Sequence, residues 1–392
     1  MSTVYATSRM LPVRAPATHG NRDARVDFFR GLALLFIFID HIPGNSLAWL
    51  TLHNFGFADA GEIFVALAGY AAFLAYARTF EDEGAAAGCI RVGRRIRDLY
   101  VAHLILLCVC VGGLAIAART FQNPTYFEHV NLTPFNFDPA GAIWRALLLV
   151  YQPGYLNILP LYMMLLLWLP VLLLLMRRNL ALALLASFSV WMGANILQWN
   201  FPSYPGTYGW IFNPFAWQFL FSLGAVSAAL ASKGDVAPRS QTLFWVATAY
   251  VLFALLVAAP WTRLPGLAEA RLLPDIRTAI SKQDLSLWRM AHIVALAYLA
   301  ASLISHDARW LTRPWAWWVV ICGRHSLHVF CFGIVLSMVG FVIMAEAGAG
   351  LGTQVIVNAV GLALLGSAAW KLAQLKRAKA RVGSMPGAAA RP

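Results

Sequence analysis

Ten stretches of roughly twenty mostly apolar residues follow one another along this chain, and a helix of that length spans the hydrocarbon core of a bilayer. They fall at 28–50, 57–78, 98–118, 155–176, 179–198, 211–231, 241–260, 285–305, 317–344 and 350–371. Backbone N–H and C=O groups in hydrocarbon must be satisfied inside their own segment. The expected fold is therefore all-α, a polytopic membrane bundle of about ten transmembrane helices. Residues 142–152 are a shorter apolar piece, expected to lie at the interface or to re-enter. Three parts result: an N-terminal tail over 1–27, a membrane domain over 28–371, and a tail over 372–392 expected to be disordered.

Composition fits no soluble class. Apolar residues make up 60% of the chain and charged ones 12%, where soluble domains carry about 25% charged residues. The formal charge of +13 belongs to basic loops against anionic headgroups, because no soluble basic domain or recognition motif accompanies it. The partner read from this balance is the lipid bilayer, and nucleic acid is excluded. The tail through Arg30, the segment 78–97, Arg177 with Arg178, Lys233 with Arg239, Arg309 with Arg313, and the tail from Lys371 share one side of a ten-helix path. They hold most of the Lys and Arg, so that side and both termini are expected to be cytoplasmic, in a bacterial inner membrane. Opposite lie two longer connections, 119–141 and 261–284, large enough to shape a substrate vestibule. The second carries Arg263, Glu269, Arg271, Asp275, Arg277, Lys282 and Asp284.

Cys89, Cys108, Cys110, Cys322 and Cys331 show no CxxC spacing and no nearby ligand partners, so neither a disulfide framework nor a metal site is indicated. No Walker A loop, GxGxxG, HExxH or GxSxG motif occurs, and no permanently bound cofactor is expected.

Chemistry must then come from ionisable side chains inside the spans, which are expensive there unless paired or lining a wet cavity. The first span carries Asp27, Arg30, Asp40 and His41 ahead of Pro43-Gly44. At about 100° per residue Arg30 and His41 share a helix face, about 16 Å apart along the axis. Arg30 fits either a snorkelling anchor or the mouth of a groove. An Asp-His pair in mid-span suits a general base working near neutral pH, with Asp40 orienting the imidazole if the helix deforms at Pro43-Gly44. Asp59 and Glu62 lie three apart at the start of the second span. Asp59 fits a helix N-terminus, whereas Glu62 lies deeper, where it could face His41. Arg91, Arg94 and Arg97 recur every three residues before the third span, as a phosphate-binding stripe or as positive-inside anchors. Arg324 and His328 share a face in the ninth span and need a counter-carboxylate, from Glu62 or Asp40, while Arg289 and His292 form a second inward polar pair in the eighth.

The run Asp27 to Leu35, followed by Asp40-His41-Ile42-Pro43-Gly44, resembles the OpgC family of membrane succinyltransferases for osmoregulated periplasmic glucans. So do Gly61 to Tyr70 and Gly323-Arg324-His325-Ser326-Leu327, and the resemblance covers nearly the whole chain. The wider superfamily of ten-helix acyltransferases, including the acyltransferase 3 group, carries an Arg, ten residues and a His in its first span, like Arg30 and His41. It also carries Arg-x-x-Arg before the third span, like Arg94 and Arg97. His325 and His328 depart from the family pattern, where Asn and Pro are expected, so no role carries over to those two.

What the resemblance implies is O-acyl transfer across the membrane. Acyl-CoA, succinyl-CoA for a succinyltransferase, would bind as co-substrate with its phosphates on Arg30, Arg94 and Arg97 and its thioester near His41. The acceptor would be a periplasmic glucan or other glycan, His41 the general base, Asp40 or Glu62 its electrostatic support, and Arg324, taken as the most deeply placed arginine, the partner of a succinyl carboxylate. Ten spans with buried Arg, His and Glu also fit a glycan or lipid-linked sugar transporter, or a non-catalytic scaffold.

Overall fold

The computed structural model describes residues 23–206, 208–234, 240–264, 266–270 and 280–383. The tails over 1–22 and 384–392, and Arg239, Arg271, Asp275 and Arg277, lie outside the described residues. The helices are α1 (Ala24–Asp40), α2 (Ala60–Asp82), α3 (Gly84–Phe121), α4 (Thr125–His129), α5 (Pro134–Phe137), α6 (Pro139–Leu147), α7 (Ile158–Arg178) and α8 (Leu180–Ile196). They continue as α9 (Pro214–Ser232), α10 (Gln241–Ala258), α11 (Leu287–Leu303), α12 (Pro314–Arg324), α13 (Ser326–Ala347) and α14 (Leu351–Gly383). No strand occurs among the described residues.

This is the all-α membrane bundle expected. Among the described residues α2, α3, α7, α9, α10, α13 and α14 are long and apolar enough to cross a membrane. The other three apolar windows hold α1, α8 and α11, each of 17 residues and so about 25 Å long.

Four expected boundaries move. The third helix starts at Gly84, not at residue 98, so most of the basic segment 78–97 is helical. The first helix stops at Asp40, not at residue 50, because Pro43 has no N–H to continue it and Gly44 turns the chain at φ 77°. Two short 3₁₀ turns, Ser46–Leu50 and Leu52–Asn54, follow. This irregular backbone is tied down by the Asn45 amide on the Ile39 carbonyl at 2.9 Å and on the Asn358 side chain at 3.1 Å, and by Ser46 N–H on the Gln354 side chain at 2.8 Å. The ninth window is two helices broken at His325, not one. Finally, α14 continues to Gly383, so residues 372–383 of the expected disordered tail are helical.

Glycines set the tightest pairings. A Cβ on Gly31 would stand 1.9 Å from the Val319 carbonyl oxygen, and one on Gly323 1.9 Å from that of Asp27. Such small-residue contacts let membrane helices approach backbone to backbone, where packing replaces the missing hydrophobic drive. Gly69 against Phe221 and Gly224 against Ala66 do the same for α2 and α9. Contacts of α1 with the broken helix advance in step, from Asp27 with Arg324 to Phe38 with Ser337 and Ile42 with Gly340. The pair α12–α13 therefore runs parallel to α1. Packing also closes a circuit, with α1 on α2, α2 on α7, α7 on α3, α3 on α13 and α13 back on α1.

Candidate active site

The circuit of five helices carries polar groups at two levels. At one end of α1 stands His41, in the cap position where the helix stops. Its ring lies 4.5 Å from that of Tyr155, a residue in the connection leading into α7. The buried Nδ1 has no hydrogen-bond partner among the protein's described groups, a state it shares with other buried side-chain atoms such as both ring nitrogens of His103. The histidine as a whole is half-buried.

Asp40 does not orient His41. Its carboxylate accepts from the Thr51 hydroxyl at 2.6 Å and stands 3.2 Å from Nδ1 of His53. Consecutive residues at a helix end point about 100° apart, and Asp40 faces the 3₁₀ turns while His41 faces Tyr155. His53, whose other ring nitrogen lies 3.0 Å from the Asn54 amide, was not singled out by the sequence reading.

Glu62 is committed elsewhere too. Asp59 and Glu62 form a capping box, in which the Asp59 side chain accepts from Gly61 N–H at 2.8 Å and Glu62 Oε2 accepts from Asp59 N–H at 2.8 Å. The other Glu62 oxygen accepts from Arg289 Nε at 2.6 Å, and Arg289 Nη2 donates to Asp59 Oδ2 at 3.0 Å. Lys282 completes the cluster, 2.6 Å from Asp59. Glu62 is fully buried, whereas the Lys282 side chain keeps 41% of its exposure, so the cluster opens outward at the lysine. Both Asp59 and Lys282 lie within electrostatic range of the His41 ring. His292, next along α11, accepts from Ala58 N–H at 3.1 Å. The inward pair Arg289 and His292 thus holds the start of α2, and Arg289 rather than Arg324 is the partner of Glu62.

Arg30 marks the second level. It is buried, and its Nη2 donates to the Leu67 carbonyl of α2 at 2.7 Å, which rules out snorkelling to a headgroup. On α3 two of the three arginines of the expected stripe face away. Arg94 and Arg97 are exposed, and Arg97 pairs with its neighbour Asp98 at 2.9 Å. Arg91, the third member of the stripe, is itself exposed but turns toward α2, donating to the Thr79 hydroxyl at 2.5 Å and lying over the Tyr76 ring. Arg95, four residues on and half-buried, lies with Arg30 in electrostatic range of the Tyr162 hydroxyl of α7. Arg95 lies off the three-residue repeat, so spacing alone does not single it out.

Between the levels Phe64 of α2 meets Phe330 of α13, ring centroids 6.3 Å apart. Arg324 is not deep in the bundle. It is exposed and pairs with Asp27 at 3.3 Å, at the Arg30 end of α1. Fourteen residues of chain along α1 separate Asp27 from His41, or about 21 Å if helical throughout. His325 is buried at the break and His328 is exposed. Among the described residues no group of acidic, His or Cys side chains could hold a metal ion.

Comparison with known proteins gives one result. The family model described as OpgC protein matches residues 22–377. No curated protein and no solved structure matches the chain.

Proposed function

Because the chain belongs to the OpgC family, which implies an acyltransferase role in glucan modification, we propose that it transfers a succinyl or other acyl group from cytoplasmic acyl-CoA to a periplasmic glucan hydroxyl, with His41 as general base. The observation that carries this reading is the buried, unpartnered Nδ1 of His41 at the end of α1, with the basic group of Arg30 and Arg95 at the other level of the same helical circuit.

The donor's phosphates are anions and its pantetheine arm is long and thin, which suits entry from the Arg30 level. Arg30 and Arg95 replace Arg94 and Arg97 as the inward cations for the phosphates. The arm passes the Phe64 and Phe330 level and brings the thioester to His41. There the imidazole takes the proton of the glucan hydroxyl, the oxygen attacks the thioester carbonyl carbon, and the C–S bond breaks. The departing CoA thiolate takes the proton back from the imidazolium. A succinyl donor carries a second carboxylate a few ångströms beyond its carbonyl. Lys282, partly exposed and within electrostatic range of the His41 ring, suits that charge, whereas Arg324 pairs with Asp27 near the other end of α1.

The test uses proteoliposomes with the acceptor glucan and labelled succinyl-CoA on opposite faces. Acyl ester on the glucan across the membrane supports the reading. Transfer only when both substrates share one face contradicts it.

A further inference from the structure

A second opening lies away from His41, at the last turn of α2. The C-terminal ends of α2, α7 and α9 and the start of α8 enclose a cleft of about 260 Å³. Its floor is apolar, with Phe80, Leu173 and Met176, and its rim is basic, with Arg177 and Arg178 ending α7 and Lys233 capping α9. Glu81 is the one carboxylate among its lining residues, so three cations face a single anion. Among the described residues none of the three cations forms an ion pair. The start of α8 adds to the field: Asn179 caps it by accepting from Ala181 and Leu182 N–H, and a helix N-terminus carries partial positive charge.

We propose that this cleft holds an anionic glycerophospholipid from the leaflet reached by the ends of α2, α7 and α9. The phosphate would sit among Arg177, Arg178 and Lys233, and the glycerol and first acyl carbons would lie over Phe80, Leu173 and Met176. Basic pockets between membrane helices recognise headgroups through the same combination of cations and apolar wall. The site is independent of the acyl-transfer chemistry, since it faces the end of α2 opposite Glu62.

The test is native mass spectrometry of the full chain in neutral detergent, titrated with phosphatidylglycerol or phosphatidylcholine. Phosphatidylglycerol should be retained and phosphatidylcholine not. At about five-fold per cation near a surface, R177Q/R178Q/K233Q together should weaken retention on the order of a hundred-fold, and Glu81→Gln, which removes the anion, should strengthen it. Equal retention of both lipids, a triple variant that holds phosphatidylglycerol like the wild type, or displacement of the lipid by free CoA would each overturn the assignment.

Discussion

The Glu62 carboxylate and the Arg289 guanidinium meet at 2.6 Å in the interior, Glu62 with no exposed surface and Arg289 nearly as buried. A buried pair of this kind adds little over an apolar pair, but losing one partner strands the other's charge. Glu62→Ala should lower stability by about 3–5 kcal/mol, read as a fall in the unfolding temperature in detergent. The double variant Glu62→Gln with Arg289→Met should recover much of that loss. A double variant as unstable as the single one would mean the pair is not what holds α2 against α11.

Donor binding should follow the inward face of α3. Arg95→Ala should raise the acyl-CoA KM about ten-fold or more with a smaller change in kcat, as expected when binding is lost equally from ground and transition states. Arg94→Ala with Arg97→Ala together should change KM by less, because both side chains face outward. Steady-state kinetics on the three proteins decides between the two faces.

Acyl preference should depend on Lys282. Replacing it by Ala removes a cation beside the His41 level and should reduce transfer from succinyl-CoA far more than from acetyl-CoA, by on the order of ten-fold or more for a charge-assisted contact worth about 1.5–3 kcal/mol. Arg324→Ala should affect both donors equally. Competition between the two donors, read as product ratio, measures this directly.

The crossing of α1 with α12 leaves no room for a side chain at Gly31, whose Cβ would fall 1.9 Å from a backbone oxygen. Gly31→Leu should therefore destabilise the protein by more than the 1–3 kcal/mol typical of overpacking in cores. The measure is thermal unfolding in detergent. An unfolding temperature within a degree of wild type would show that the helices separate easily here.

Much of the bundle was legible because membrane spans announce themselves by length and apolarity alone, and helices occupy all ten windows. The break at His325 was not, since neither Pro nor Gly stands at that position and the apolar pattern runs through it. At the site, the shared face of Arg30 and His41 could be read from helical periodicity, but partners could not. Asp40 is adjacent to His41 in sequence yet bonds Thr51, because the helix ends between them and the chain folds back. Glu62 finds Arg289, 227 residues away, and Arg324 finds Asp27, 297 residues away. Pairings over such separations are fixed by which helices pack, and periodicity within one helix carries no information about that. The packing of α3 is hidden for a related reason: spacings of three and of four both fit one helix face, and only residues on other helices, such as Tyr162 near Arg95, show which side chains are covered.

The central claim is that the unpartnered imidazole of His41 is the base. The direct measurement is the rate of acyl transfer to glucan by purified His41→Ala beside the wild type, with thermal unfolding of each protein and acyl-CoA binding recorded on the same samples. The account predicts that the variant folds and binds acyl-CoA as the wild type does while transfer falls by about 10²- to 10⁴-fold, the usual contribution of a general base. Transfer at the wild-type rate by a folded His41→Ala protein would contradict it.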